Sequence, residues 1–510
     1  MNIQYKWLLI VLAFGFIACE SDDDAPEMEE VVITSGEADF SKFVSVGNSL
    51  TAGFTDGALF IAGQENSLPN IMAQQFALAG GGDFLQPLMS DNIGGALLGG
   101  TQILNPRFFF DGSGPALLGA VPTTEITAAL SGSFNNMGIP GAKSFHLVAP
   151  GYGNVAGLTM MPATANPYFV RIASDPAATV LGDAMAQSPT FFSLWIGNND
   201  VLGYALSGGD GSDPITDTAL FTQVYNTLVG TLTSGGAKGV VFNIPDVTAI
   251  AHFTTVPFAP LDPTSETFGP LIPALNTQFA GLNQVFTALG VPERSIVFAT
   301  DAASPVVIKD ESLTDLTAQI TGALQMAGVD AGTAAVTGFL YGQARPANEN
   351  DLLVLPSSAI IGQVNTDAVM TLMGLGLSQA QAGQLAVNGV TFPLEDKWVL
   401  IPSEQQEIAT ATTTFNSVID TAVQQAGLAF VDANGLLDQV SAGGIQFDEF
   451  LMQGNLVFGG LFSLDGVHPT ARGYAFLANS AATAINTTYG SNLPAVKAVD
   501  YPLFYSATLQ

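Results

Sequence analysis

Five short apolar runs constrain the fold more than any other feature of the chain: KFVSVGNS (42–49), TFFSLWIG (190–197), GVVFNIP (239–245), SIVFAT (295–300) and LAFVDA (428–433). Each is rich in Val, Ile or Phe, and each is apolar without a break, as a strand covered on both faces of a parallel sheet should be. Helical patterns lie between them. FTQVYNTLVGTLTSGG (221–236) carries apolar residues at helical spacing and meets a Gly stop before the run at 239, and EQQEIATATTTFNSVIDTAVQQAG (404–427) does the same before the run at 428. Strand, helix, strand in this order predicts a layered α/β domain with right-handed crossovers. The chemistry of such a domain lies at the C-terminal ends of its strands.

Two long segments exceed what a minimal domain of this kind needs. Residues 54–135 are rich in Gly, Phe and Leu, and residues 302–396 carry short amphipathic helices such as DLTAQITGALQMAG. Both follow expected strand ends, where binding loops are grafted, so both are read as insertions that form a cap. The domain is expected over residues 39–490, with 491–510 as a C-terminal tail.

Composition narrows the partners. Of 510 residues, 44 are Asp or Glu and only 12 are Lys or Arg, a formal charge of −32. Such a surface repels phosphate backbones, which argues against nucleic acid, and disfavours docking onto anionic headgroups. Hydrophobic residues make up 48% of the chain, yet after the N-terminus no apolar run is long enough to span a bilayer. At the N-terminus, Lys6 precedes an apolar stretch from Trp7 to Ala18 and then Cys19, the only cysteine, followed by an acidic stretch. This resembles a bacterial lipoprotein signal: residues 1–18 as the signal peptide, Cys19 as the lipidated first mature residue, and 19–38 as an acidic linker. The resemblance implies a cell-envelope protein anchored to the outer membrane, with acidic residues after the cysteine that resemble a surface-export signal. No cysteine is left for a disulfide.

Four stretches carry chemistry. FVSVGNSLTAGF (43–54) brings Ser49 to the end of the first apolar run. FSLDGVHPTARGYAFLAN (462–479) holds Asp465 and His468 three apart in a loop, a spacing that lets the carboxylate reach Nδ1–H and leaves Nε2 free as a base. LWIGNNDVLGYA (194–205) ends a buried run in Asn198-Asn199-Asp200, from which an amide can point above the sheet. NNMGIPGAKS (135–144) places Gly141 in a turn where a backbone N–H can approach a ligand. Together these are the parts of acyl transfer: nucleophile, oriented base and oxyanion donors. The other histidines, His146 and His252, have no carboxylate at such spacing and are read as structural.

The four stretches, in this order, resemble blocks of the SGNH/GDSL hydrolase family: VGNSLTAG the first, NMGIPGA the second, IGNND the third and DGVHPT the fifth. Asn48 stands where the family more usually has Asp. The resemblance implies a flavodoxin-like three-layer α/β/α sandwich with a parallel sheet and two long insertions. It assigns Ser49 as nucleophile, His468 as general base and Asp465 as its orienter, and an oxyanion hole from the N–H groups of Ser49 and Gly141 with the Asn199 side chain. The implied activity is that of a serine esterase or lipase without a cofactor. A lipid or fatty-acyl ester is the expected substrate, with acetylated polysaccharide as the alternative. An ordinary α/β-hydrolase fits less well, since GNSLT lacks the second Gly of G-x-S-x-G.

Rival readings rest on weaker features. A zinc site lacks His-Glu-x-x-His and enough histidines. The Asp-rich stretches GGDGSD (208–213) and DANGLLD (432–438) match no complete calcium loop and are read as turns and strand ends. A non-catalytic surface lipoprotein that captures apolar ligands would suit the Phe- and Leu-rich insertions but has no need of the serine, the Asp-His pair, Asn199 and Gly141 together.

Overall fold

The computed structural model describes residues 32–509; the expected signal peptide, Cys19 and the expected linker as far as residue 31 lie outside the described residues. At its centre is a five-stranded, wholly parallel sheet. The strands are β1 (Phe43–Gly47), β2 (Asn136–Gly138), β3 (Phe191–Trp195), β4 (Lys238–Phe242) and β5 (Ala429–Val431), in spatial order 2-1-3-4-5. That is one of the two common doubly wound orders, and its direction reverses between β1 and β3. Every residue of β1 and β3 is buried, so both faces are covered. Even their paired serines are satisfied internally: Ser193 Oγ donates to Ser45 Oγ at 2.7 Å across the register.

Helices cover the sheet in two groups. The helix Leu68–Ala77 packs against the C-terminal helix Ala471–Tyr489, and from them Phe76 and Tyr489 reach Phe191 at ring separations of 5.4 and 6.0 Å. Thr218–Leu232 packs against Pro402–Ala426 through Phe221 and Phe415, whose rings stack 4.0 Å apart. The latter helix stops at Gly427 in the left-handed conformation (φ +63°), as the sequence signals.

Three expectations need correction. The run SIVFAT (295–300) is not a strand of the sheet. It is extended chain whose backbone pairs with side chains instead. Asn283 exchanges two hydrogen bonds of 2.8 Å with the N–H and C=O of Ile296, and Asn276 does the same for Phe298 at 2.9 and 2.8 Å. Both asparagines project from the helix Ile272–Ala288, so this segment belongs to a second hydrophobic core running from Val256 to Ile401. The second unit therefore starts well before residue 302. Residues 54–135 are likewise not all addition, because Leu68–Ala77 is a helix of the sandwich itself; only the hairpins at 96–104 and 108–117 stand apart.

The last residues are also more than a tail. Leu493, Ala498, Tyr501 and Tyr505 are buried in the main core. Arg107, fully buried, donates to the carbonyls of Tyr505, Ser506 and Leu509 at 3.2, 2.6 and 2.9 Å. Among the described residues no helix is long and apolar enough to cross a membrane.

Candidate active site

Ser49 opens α1 (Ser49–Ala52), a single turn that begins where β1 ends. Asn48 makes this abrupt change of direction workable. Its Oδ1 accepts from the N–H of Leu50 at 3.0 Å and so caps the turn, while its Nδ2 donates to Asn198 Oδ1 at 3.3 Å. Fully buried, this neutral amide ties the end of β1 to the loop after β3. Gly53 (φ +83°) ends the turn in the left-handed region and donates to the Ser49 carbonyl. Neighbouring β2 comes so close that a Cβ on Gly138 would run into the Ala52 amide.

His468 arrives from the opposite end of the chain. The loop between Phe462 and Pro469 closes on itself, with Ser463 N–H donating to His468 C=O at 2.7 Å, and Thr470 then caps the helix Ala471–Tyr489. Inside this loop Asp465 is surrounded by donors. Oδ1 accepts from the backbone N–H groups of Val467 (2.8 Å) and His468 (2.9 Å) and from Ser463 Oγ (3.0 Å); Oδ2 accepts from Gly57 N–H (2.9 Å) and meets His468 Nδ1 at 2.8 Å. Burial alone would raise this carboxyl, but the His468 ring and the backbone donors outweigh it and hold it down to about 2. Held by Asp465 at Nδ1, the imidazole offers Nε2 to Ser49 Oγ at 2.9 Å. Phe54 packs on the ring, centroids 4.6 Å apart. A serine and a histidine 419 positions apart in sequence thus form one hydrogen-bonded chain ending on a half-buried carboxylate.

The remaining expected residues follow the neighbouring strands. Gly141 lies three residues beyond β2, exposed and left-handed (φ +79°), and its N–H donates to no acceptor among the described residues. Asn199 begins the helix Asn199–Leu206 just beyond β3, and its Nδ2 donates to Ala142 C=O at 2.9 Å, next to Gly141. Ser49, Gly141 and Asn199 therefore stand at the C-terminal ends of three adjacent strands, beside the switch point between β1 and β3. As the first residue of its helix, Ser49 has a backbone N–H with no partner inside that helix.

Other residues at the site were not legible as such. Asp200, fully buried, accepts from Ser144 N–H (2.8 Å) and Ser144 Oγ (2.6 Å), and so anchors the loop that carries Gly141. Burial raises its carboxyl even so, and the Ser144 bonds oppose that. Its position directly after Asn199 is the signal that could have found it. Asp56 is buried behind Asp465 and accepts from Leu464 N–H at 3.0 Å. Burial, with the Asp465 charge beside it, pushes Asp56 up to about 7.

His146 and His252 lie outside the hydrogen-bonded chain. His146 Nδ1 accepts from Lys143 N–H at 3.0 Å, and the ring stacks on Tyr152. His252 uses its backbone N–H to hold Gly466 C=O at 2.8 Å, which braces the loop of Asp465. Burial lowers both imidazoles to about 4.

Beside the triad is an apolar cavity of about 80 Å³. Leu50 and Val467, the chain neighbours of Ser49 and His468, line it together with Trp195, Ile250 and Phe462. Compared with known proteins, the chain matches no family model, no curated protein and no solved structure.

Proposed function

We propose that this chain is a serine esterase of the SGNH/GDSL type, acting on carboxylic esters with an apolar acyl group. One observation carries the reading: Ser49 Oγ, His468 and Asp465 are linked by hydrogen bonds of 2.9 and 2.8 Å at the carboxyl edge of a parallel sheet. The strand order, which is that of a flavodoxin-like sandwich, agrees with it.

Each group has a role in the reaction. Nε2 of His468 takes the hydroxyl proton as Ser49 Oγ adds to the ester carbonyl. Asp465 keeps the ring in the tautomer that makes this possible and stabilises the imidazolium. Oxyanion stabilisation falls to the N–H groups of Ser49 and Gly141 and to the Asn199 amide proton not used by Ala142; loss of one such donor costs on the order of 10²–10³ in turnover. His468 returns its proton to the departing alcohol, leaving an acyl-serine. Water then adds to that ester, with His468 again as base, and releases the acid.

The apolar side chains of Leu50 and Val467, the chain neighbours of Ser49 and His468, favour a lipid or fatty-acyl ester over a sugar ester. A lipoprotein anchor at Cys19 would hold the enzyme at the outer membrane, beside such a substrate. Incubation with a fluorophosphonate probe and with p-nitrophenyl esters of increasing chain length tests the proposal. Labelling and turnover are expected in the native chain, and both should vanish in Ser49→Ala. A native chain that binds lipid tightly but is never labelled would instead be a carrier.

A further inference from the structure

Away from the triad, Glu311, Asp396 and Glu404 converge from three separate segments and offer carboxylate oxygens within 4.8 Å of one another. Glu404 stands in the first turn of the helix Pro402–Ala426, and its side chain is only 4% exposed. One of its oxygens, Oε2, accepts from Ile401 N–H at 2.8 Å. The other, Oε1, has no hydrogen-bond partner among the described residues. It faces the backbone of Gly209, where a Cβ would fall on the carboxyl group, and Gly208 packs as closely on the backbone of Asp396.

The loop GGDGSD, which on sequence alone matches no complete calcium loop, thus closes over the acidic cluster. It brings Asp210 near enough to raise Asp396 further. No Lys or Arg forms an ion pair with any of the three carboxylates among the described residues: Lys397 is taken by Glu395 at 2.9 Å, and Lys309 only moderates Asp396 from a distance. Buried carboxylates without a counter-charge are costly.

We propose that Glu311, Asp396 and Glu404 form a calcium site that joins the second unit to the loop following the Asn199 helix. An all-oxygen, carboxylate-rich set is the chemistry of a hard divalent cation. Calcium suits it better than magnesium, because Ca²⁺ accepts an irregular set of protein oxygens whereas Mg²⁺ demands near-ideal octahedral geometry and keeps several of its waters. The site is independent of the esterase reading.

Titration calorimetry of the chelator-treated full chain with CaCl2 tests the site. One calcium per chain is expected, with a Kd of about 10⁻⁵–10⁻³ M, the span from sensor to extracellular sites. Tm should rise beyond the effect of NaCl at equal ionic strength. Glu404→Gln should weaken binding at least tenfold, and so should Glu311→Gln, whose exposed position leaves the fold undisturbed. Absence of saturable heat would overturn the proposal and leave Glu311 and Glu404 sharing a proton. So would wild-type affinity in Glu311→Gln, a Tm shift matched by NaCl, or Mg²⁺ binding as tightly as Ca²⁺.

Discussion

Asp56 is a buried acid in a left-handed conformation (φ +52°), one residue before the glycine whose N–H holds Asp465. Its carboxyl is pushed up to about 7 by burial first and by the Asp465 charge after it. The folded state therefore holds a proton that the unfolded chain releases near pH 4. This contribution to stability is complete below pH 4 and is lost as pH rises through 7. Asparagine tolerates the same backbone region and keeps an acceptor for Leu464 without the charge. We expect Asp56→Asn to match the native Tm at pH 4 and exceed it at pH 8, by a few kcal/mol of stability at most. A thermal-shift series across pH checks this, and parallel native and variant curves would refute the buried-acid account. Ser49, Asp465 and His468 stood out because a serine, an acid and a histidine in this pattern suit acyl transfer. Asp56 did not: FTDGALF contains an ordinary acid, and only folding puts it behind the Asp465 carboxylate.

At the scale of elements, the extended run 295–300 shows how an apolar sequence can mislead. Its composition is that of a strand covered on both faces, yet only Ile296 and Phe298 are buried, Val297 is exposed, and the chain gives it no strand to pair with. Asn276 and Asn283 replace a neighbouring strand by bonding both polar groups of Phe298 and Ile296. Asn283→Ala would leave the N–H and C=O of buried Ile296 without partners, at a cost of about 2–3 kcal/mol. The urea midpoint should fall accordingly, and an unchanged midpoint would show that the pairing carries no weight. The converse error is β2, three residues of Asn, Met and Gly with no strand signature. It pairs only because β1 offers its free edge and Gly138 admits α1. Helices were read more securely, since a stop such as Gly427 works through local backbone geometry that needs no partner.

On the scale of the whole molecule, Arg107 and the second core matter most. Besides three carbonyls of the C-terminal segment, Arg107 bonds those of Asn92 and Phe108, at 2.8 and 3.2 Å, so one buried cation joins a hairpin to the chain's end. Arg107→Met takes the donor from these five carbonyls and should destabilise by about 1–3 kcal/mol for each one left buried without a partner. It should also open the bonds after Phe504 and Tyr505 to chymotrypsin, which mass spectrometry of a timed digest would reveal. By itself, the order of residues determined the parallel α/β core and four of its five strands, and it singled out Ser49, His468, Asp465, Gly141 and Asn199, which the fold gathers at one edge of the sheet. Each of these follows from short-range rules: period, capping, turn chemistry and the functional groups a reaction requires. Only the tertiary structure decided that the second core begins near residue 256, that the C-terminal segment is locked in place, and that Asp56 and Glu404 are buried. Burial and charge proximity arise between segments far apart in the chain, and no local pattern encodes which segments will meet.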